Sequence, residues 1–297
     1  MRRAHRWVLL AALAVGAVAS EASAAEKINL LIIDGRHNHN WKATTPVVKE
    51  LLLKTDRFTV DVLTTPGNKD PKEEWDKFRP DLSKYKVVLM NYAGQPWPKE
   101  VNEAFEKYMQ DGGGLVFYHA AVFAFPQWAE WNKMMGLGWR DKNFGDRIAL
   151  DDAGKIVRTP KGEGPGGSHG PAHPFEVMVR DKEHPITKGL PEKWAHVKDE
   201  LYHGQRGPAQ DMTILATAFS AKDKGGTGFH EPMAWTIPYG KGRVFVSLLG
   251  HDVAATAAPD AATLLCRGTE WAATGEVTLP VPKDFPSAAP AAKAEEK

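Results

Sequence analysis

Histidines follow three apolar segments that have the length and composition of buried strands. They are His37, after residues 27–34, His119, after residues 115–118, and His251, after residues 244–249. In an open α/β sheet, ligands bind outside the carboxyl ends of the parallel strands, so we expect these imidazoles to lie along one edge of a sheet. Imidazole exchanges protons near neutral pH and also binds divalent metal ions. The pattern therefore indicates a site for acid–base or metal chemistry.

Two later segments supply further polar side chains to such a site. His184 lies in residues 183–187, and Glu200 lies in residues 199–203. A carboxylate beside imidazoles can take up and release protons during a reaction. We therefore predict His119, His251 and Glu200 as catalytic residues.

The same side chains also fit a metal site. His119, His184 and His251 would bind a divalent ion such as Zn, Mn, Co or Ni and leave one position open for water or substrate. No His-Glu-x-x-His motif is present, and His169 and His173 lie among Gly and Pro residues. These two histidines cannot share a helical face there, and we expect them to be exposed to solvent. The sequence leaves metal-free acid–base chemistry and metal binding as alternatives.

The segments around these residues predict an α/β fold. Apolar runs at 27–34, 58–63, 85–90, 115–118 and 242–249 alternate along the chain with amphipathic segments at 44–54, 99–110 and 261–273. Strands that are apolar throughout are typical of parallel sheets covered on both faces. We therefore predict a doubly wound, mostly parallel sheet with flanking helices, of the flavodoxin-like type. The first helix is expected to be capped by Thr44 or Thr45, with Pro46 in its first turn.

The second half of the chain is less regular. Short strands or turns are predicted at 175–179, 194–202, 212–217 and 233–237. Residues 161–174 are rich in Gly, Pro and His and predict a loop, which either covers the site as a lid or runs over the surface elsewhere.

The ends of the chain predict three regions. Residues 1–24 combine a basic start, an apolar run and the small-residue sequence Ala22-Ser-Ala24, which is typical of a cleaved signal peptide. Residues 25–280 form one α/β domain, and the Ala-, Pro- and Lys-rich residues 281–297 are expected to be a disordered tail. These features predict a periplasmic or secreted protein without a membrane span.

Composition excludes several classes of function. The chain has 38 Lys and Arg residues against 37 Asp and Glu, and this balance argues against nucleic acid as a partner. Cys266 is the single cysteine, so neither an intrachain disulfide nor a cysteine-based zinc site can form. The chain lacks a phosphate-binding loop, a dinucleotide-binding fingerprint and a Gly-x-Ser-x-Gly elbow, and these absences argue against the enzyme classes that use them.

Five segments together resemble the ThuA-like (trehalose utilisation) proteins, which have a class I glutamine amidotransferase-like fold, over residues 27–277. The segments are Asp34-Gly-Arg-His-Asn-His-Asn-Trp41, Gly112-Gly-Gly-Leu-Val-Phe-Tyr-His-Ala-Ala121, His184-Pro-Ile-Thr-Lys-Gly-Leu190, Asp199-Glu-Leu-Tyr202 and Gly240-Lys-Gly-Arg-Val-Phe-Val-Ser-Leu-Leu-Gly-His251. The resemblance implies that His119 stands where amidotransferases carry their nucleophilic cysteine, and that His251 stands where they carry a general-base histidine. A glutamine amidotransferase activity is therefore not expected.

The resemblance also implies a role in the catabolism of disaccharides or keto-sugars. The expected partner is then a small-molecule sugar or keto-sugar, transformed by His and carboxylate acid–base chemistry with or without a metal ion. We predict Trp41, His37, Tyr202 and His184 as substrate-binding residues, with the two aromatic rings against the sugar. The alternative is a non-catalytic carbohydrate-binding or accessory protein that uses the same pocket.

Overall fold

The computed structural model describes residues 26–287. Its strands are β1 (Ile28–Asp34), β2 (Phe58–Thr64), β3 (Val87–Met90), β4 (Gly114–Tyr118), β5 (Arg147–Leu150), β6 (Ile156–Thr159), β7 (Ser168–His169), β8 (His173–Val179), β9 (Lys193–Asp199), β10 (Tyr202–His203), β11 (Thr213–Phe219), β12 (His230–Tyr239) and β13 (Gly242–Ser247). Its α-helices are α1 (Trp41–Lys54), α2 (Lys72–Lys77), α3 (Lys99–Gln110), α4 (Ala129–Met135), α5 (Val253–Ala257) and α6 (Pro259–Thr274), and 3₁₀ turns cover Leu82–Lys84, His119–Phe123 and Lys222–Lys224.

One large sheet organises these elements, in the order β2-β1-β3-β4-β13-β12-β11-β8-β9. The first five strands are parallel to one another, and the strands from β12 outward pair antiparallel. Helices α1, α5 and α6 contact one another as one layer, and α3 and α4 pack separately against β13 and its neighbours. This arrangement confirms the predicted α/β doubly wound fold, with an antiparallel extension that the sequence pattern did not predict.

The parallel strands form the centre of the core. Every residue of β3 and β4 is buried, and so is β1 apart from Asn29. A strand buried on both faces must be apolar throughout, which is why these segments lack the alternating pattern of a half-exposed strand. The carboxyl ends of these rigid strands therefore offer fixed positions for the residues that follow them.

Helix α1 begins three residues earlier than the sequence pattern suggested. The side chain of Asn40 accepts a hydrogen bond from the backbone N–H of Ala43 and caps the helix, which starts at Trp41. Thr44 and Thr45 are therefore buried inside the helix rather than capping it. Pro46 lies in the second turn of α1 rather than in the predicted first turn. Because proline has no N–H, the helix lacks the hydrogen bond that residue 46 would otherwise donate to the carbonyl of Lys42.

The structure describes part of the predicted carboxyl-terminal tail but none of the predicted signal peptide. The predicted signal peptide lies outside the described residues. Residues 281–287 are described, and Phe285 packs on Trp194 of β9 at 5.1 Å between ring centroids. The packed region thus extends past the predicted boundary at residue 280. No helix within residues 26–287 combines the length and apolar character needed to cross a membrane.

Substitution of Gly268 by alanine is expected to destabilise the fold by about 1–2 kcal/mol. Gly268 lies in α6, and a Cβ there would stand 2.1 Å from two ring atoms of Phe245 on β13. Alanine favours a helix by about 1 kcal/mol over glycine, but overpacking a tight core costs about 1–3 kcal/mol. Urea unfolding of Gly268→Ala measures the net effect. In a Phe245→Leu background the added cost should shrink, and an equal cost in both backgrounds would contradict this contact as the cause.

Candidate active site at the carboxyl edge of the sheet

The carboxylate of Glu200 lies at the centre of a group of four histidines. Its Oε1 is 3.3 Å from Nε2 of His251 and 3.6 Å from Nε2 of His169. Its Oε2 is 3.7 Å from Nε2 of His39 and 3.7 Å from Nε2 of His119. We call these five residues the Glu200 cluster. An anionic group surrounded by imidazoles on both of its oxygens is suited to proton transfer or cation binding.

The topology of the sheet explains why these residues meet. His39 follows β1, His119 follows β4 and His251 follows β13, and all three strands are parallel. Strand β9 runs in the same direction as they do, because β12, β11, β8 and β9 reverse direction in turn. The carboxyl end of β9 therefore delivers Glu200 to the same edge.

The loop at 161–174 supplies the last member of the cluster. Strand β7 lies in this loop and pairs antiparallel with β10, with His169 opposite Tyr202. The pairing holds the side chain of His169 over Glu200. His169 is exposed, as expected, with 36% of its side chain accessible, but its Nε2 also lies 3.6 Å from Oε1 of Glu200.

His119 is held in a strained and defined position. Its φ is +39°, a left-handed conformation that L-residues other than Asn and Asp seldom adopt. The sharp turn from β4 into the 3₁₀ helix turns the side chain inward. Its Nδ1–H donates to the carbonyl oxygen of Leu248 at 2.6 Å, which leaves the lone pair on Nε2 directed at the cluster. Nε2 is buried and has no hydrogen-bond partner among the described residues.

His39 also directs Nε2 at the cluster. This atom accepts hydrogen bonds from the amide of Asn38 at 3.1 Å and the hydroxyl of Tyr202 at 3.0 Å. The backbone N–H of His39 donates to Nδ1 of His37 at 3.0 Å. His37 thus stabilises the loop through this hydrogen bond, and His39 rather than His37 contacts Glu200.

Burial and mutual repulsion keep two of these imidazoles neutral. Burial, together with the charge of His119, lowers the pKa of His37 to about 4 and that of His39 to about 3. Burial alone would raise the pKa of Glu200, but its interactions with His119, His251 and His169 outweigh burial and hold the pKa below its usual value. At neutral pH Glu200 is therefore an ionised carboxylate, and both His39 in the cluster and His37 behind it are neutral.

Asp199 anchors both the segment of Glu200 and the loop of His251. Its Oδ1 accepts hydrogen bonds from the backbone N–H groups of Glu200 at 2.8 Å and His251 at 3.0 Å. Its Oδ2 accepts from the N–H of Gly250 at 2.7 Å and from His196 at 2.9 Å. Asp199 is a positioning residue, which the pattern of residues 199–203 did not distinguish from its neighbours.

Replacing Asp199 by asparagine is expected to cost about 2–4 kcal/mol of stability and to weaken any activity of the cluster. The amide nitrogen of asparagine cannot accept the hydrogen bonds that one oxygen of Asp199 now accepts. The N–H groups that donate to that oxygen would be buried without an acceptor, which costs free energy of folding. Urea unfolding measures the first effect. Asp181→Asn is the matched control, because Asp181 also accepts two backbone N–H groups but lies in an exposed turn. Equal losses for both variants would contradict a special role for Asp199.

A cleft gives access to the cluster. It has a volume of about 610 Å³ and is lined by His39 and His251 together with the start of α1 and residues 252–254. The side chain of His251 is 30% exposed, whereas those of Glu200 and His119 are 12% and 2% exposed. A small molecule in the cleft would contact His39 and His251, the two members of the cluster that line it.

The structure brings together some of the predicted site residues and separates others. His119, His251 and Glu200 meet in the cluster, and His37 lies directly behind His39. His184 lies elsewhere, with its ring 5.0 Å from that of Trp271. The reason is strand direction. Because β8 runs opposite to the parallel strands, the turn after it lies at the other edge of the sheet.

The two aromatic residues predicted to contact the sugar, Tyr202 and Trp41, are not among the residues that line the cleft. Tyr202 is 1% exposed, and its ring lies 4.4 Å from that of His119. No face of Tyr202 is free for a sugar, and its role is to position His39 and His119. Trp41 is the first residue of α1, with the ammonium of Lys42 5.5 Å from its ring centroid, and it is not among the residues that line the cleft.

Sequence reasoning missed one member of the cluster, His169, and left open whether His37 or His39 faces the site. His39 stands two residues from His37 after the same strand, so the pattern indicated the pair but could not choose between them. The position of His169 depends on the pairing of β7 with β10. That pairing joins segments far apart in the chain, and the local composition of residues 161–174 gives no signal for it.

Comparisons with known proteins agree with this fold. The family model for ThuA, described as trehalose utilisation, matches residues 29–272. The structure of a ThuA-like protein from Parabacteroides merdae is 44% identical, with a TM-score of 0.84 over 88% of this chain and 95% of that one. A ThuA-like protein from Bacteroides uniformis is 21% identical, with a TM-score of 0.57 over 87% of this chain and 96% of that one, and shares the fold. A search of curated proteins finds no match. The chain belongs to the ThuA, trehalose utilisation, family.

Proposed function

We propose that the chain is an exported enzyme that transforms a sugar or keto-sugar by acid–base chemistry at the Glu200 cluster. The observation that carries this proposal is the carboxylate of Glu200, which contacts four imidazoles at the carboxyl edge of the sheet. The family description, trehalose utilisation, supports a sugar as substrate. The proposed export rests on the signal-peptide pattern of residues 1–24.

The chemistry of the cluster suggests how a carbonyl group would be used. A carbonyl makes the hydrogen on the neighbouring carbon acidic, and Glu200, ionised at neutral pH, is the base that removes this proton. The electron pair left on carbon moves toward the carbonyl oxygen. His251, which faces the cleft, is placed to supply a proton to that oxygen. Return of the proton to a different carbon gives an isomer, and loss of a neighbouring sugar oxygen breaks the glycosidic bond.

Hydrolysis of an activated glycosidic bond is the second reaction that this site fits. In that case Glu200 or His251 would remove a proton from water, and a second group of the cluster would protonate the leaving oxygen. The two reactions differ in the carbon–hydrogen bond that they break. Only proton removal beside the carbonyl exchanges a carbon-bound hydrogen with solvent.

The experiment is incubation of the protein in D₂O with keto derivatives of trehalose and related disaccharides, with the unoxidised sugars as controls. Mass spectrometry then reports deuterium in the sugar, and chromatography reports cleavage. Turnover that His119→Ala removes while most substrate affinity remains would support the proposal. Binding of the sugar without exchange or cleavage would instead show a non-catalytic carbohydrate-binding protein.

A further inference from the structure

We infer that His39, His119 and Glu200 bind a divalent transition-metal ion. The inference rests on the proposed function, because it assigns a cofactor to the same site. It differs from the set His119, His184 and His251 that the sequence suggested. His184 lies at the opposite edge of the sheet, and His39 and Glu200 replace it and His251 as ligands.

Two of the three ligand atoms have no partner for their lone pairs. Nε2 of His119 and Oε2 of Glu200 are both buried, lie 3.7 Å apart and make no hydrogen bond within the described residues. The bond from Nδ1–H of His119 to Leu248 places the lone pair of the neutral ring on Nε2. Two buried acceptors that face each other are unfavourable unless a cation or a proton lies between them.

The third lone pair belongs to His39. The amide of Asn38 can only donate a hydrogen to Nε2 of His39, so this nitrogen is an acceptor and the ring proton of the neutral form lies on Nδ1. Nε2 is 3.7 Å from Oε2 of Glu200. Three acceptors from three different loops thus converge, and an ion bound there would replace the hydrogen bonds that Nε2 of His39 now accepts from Asn38 and Tyr202.

The distances suit a metal ion if the site contracts. The ligand atoms of His39, His119 and Glu200 all lie within 4.8 Å of one another. Ligands about 2.1 Å from a tetrahedral ion are roughly 3.4 Å apart. The two contacts to Glu200 need to shorten by a few tenths of an ångström, and the two imidazole nitrogens, at most 4.8 Å apart, by up to about 1.4 Å.

The surroundings supply no competing cation. Among residues 26–287, every ion-pair partner of Glu200 within 4.0 Å is a histidine, with no Lys or Arg among them. Two imidazoles and one carboxylate select first-row transition ions, whereas Mg²⁺ prefers oxygen ligands. The free positions of the ion would face the cleft, where it could polarise a sugar carbonyl or hydroxyl.

This arrangement separates metal binding from proton transfer. His251 and His169 contact Oε1 of Glu200, the oxygen that points away from the other two histidines. These two imidazoles are then free to move protons, and a bound substrate would lie between them and the ion.

The test is zinc binding by the untagged protein after treatment with a chelator. Isothermal titration with Zn²⁺ and elemental analysis after desalting should show about one equivalent bound, and Co²⁺ should give a visible absorption band. Outer-shell substitutions typically weaken metal binding by about 10–100-fold. Loss of a direct ligand in His119→Asn, His39→Asn or Glu200→Gln should exceed that. Mg²⁺ should not compete at equal concentration.

His184→Asn is the control, since it removes a histidine outside the cluster and should leave Zn²⁺ affinity unchanged. Circular dichroism of each variant shows whether it remains folded. The inference is overturned if the wild-type protein binds no Zn²⁺, or if the folded ligand variants bind as tightly as it does.

The D₂O exchange assay separates this inference from the proposed function. Exchange by a protein that binds no Zn²⁺ would overturn the metal inference and leave acid–base catalysis standing. Zinc bound by the three ligands without exchange or cleavage of any sugar would support the site and contradict the proposed catalysis.

Discussion

Glu200→Gln is expected to lower the turnover of a keto-sugar by at least about 10³-fold while the protein stays folded. General acid–base catalysis contributes about 10²–10⁴-fold, and Glu200 is the carboxylate that all four imidazoles of the cluster contact. Glutamine has nearly the same shape but takes up no proton near neutral pH. Because Oε2 makes no hydrogen bond within the described part of the chain, the substitution breaks no bond of that oxygen that the fold depends on.

The measurement is kcat and KM for the keto-sugar that shows turnover in the D₂O assay. We expect kcat to fall and KM to change much less, because the substitution removes a proton acceptor and few binding contacts. Glu183→Gln is the matched control, since its side chain is 89% exposed and the same atoms change without effect on the cluster. A Glu200→Gln variant with wild-type kcat would rule out Glu200 as the base.

Much of the candidate site could be predicted because its residues follow local patterns. A buried parallel strand is an apolar run, and the residue after it lies at a known edge, which is how His119 and His251 were found. His184 shows where this reasoning stops. Its segment follows a strand as theirs do, but β8 runs in the opposite direction, and strand direction depends on pairing across the whole sheet.

Other features of the site depend on long-range pairing. Glu200 was predicted as a catalytic residue, but it reaches this edge because β9 returns to the direction of the parallel strands. His169, which was not predicted in the site, reaches it because β7 pairs with β10. Neither strand pairing can be predicted from the residues close to it in the sequence. The tautomers that aim Nε2 of His39 and His119 at Glu200 depend on bonds to Asn38 and Leu248, which only three-dimensional contacts reveal.

The folded protein is expected to lose stability as pH rises from about 6.5 to about 9, because His196 loses its proton over this range in the unfolded chain first. This residue lies in β9 with none of its side chain exposed. Its Nδ1–H donates to Asp260 at 2.7 Å and its Nε2–H to Asp199 at 2.9 Å. Burial alone would lower the pKa of His196, but the bonds to Asp199 and Asp260 outweigh burial and raise it to about 9.

The direction of the effect follows from that raised pKa. In the unfolded chain His196 has a pKa near 6.5, so below about pH 6.5 both states carry the proton and its stabilisation is complete. Between about 6.5 and 9 the unfolded chain has lost the proton and the folded one keeps it, so unfolding becomes progressively easier. The difference between the pKa of His196 in the unfolded chain and in the folded protein corresponds to about 3 kcal/mol. This is a large share of the free energy of unfolding of a typical domain.

Urea unfolding of the wild-type protein and of His196→Gln between pH 6 and 9.5 measures this contribution. Glutamine keeps a hydrogen-bond donor but does not titrate, so the stability difference between the two proteins should be largest near pH 6 and shrink by about 3 kcal/mol toward pH 9. In Asp260→Asn, which removes one negative partner, the folded-state pKa of His196 should be lower, so the decline should still begin near pH 6.5 but end at a lower pH and be smaller. If the stability of the wild type and of His196→Gln changes with pH in the same way, His196 is neutral in the folded protein. Asp199 is then held in place at the site without a positive charge on His196.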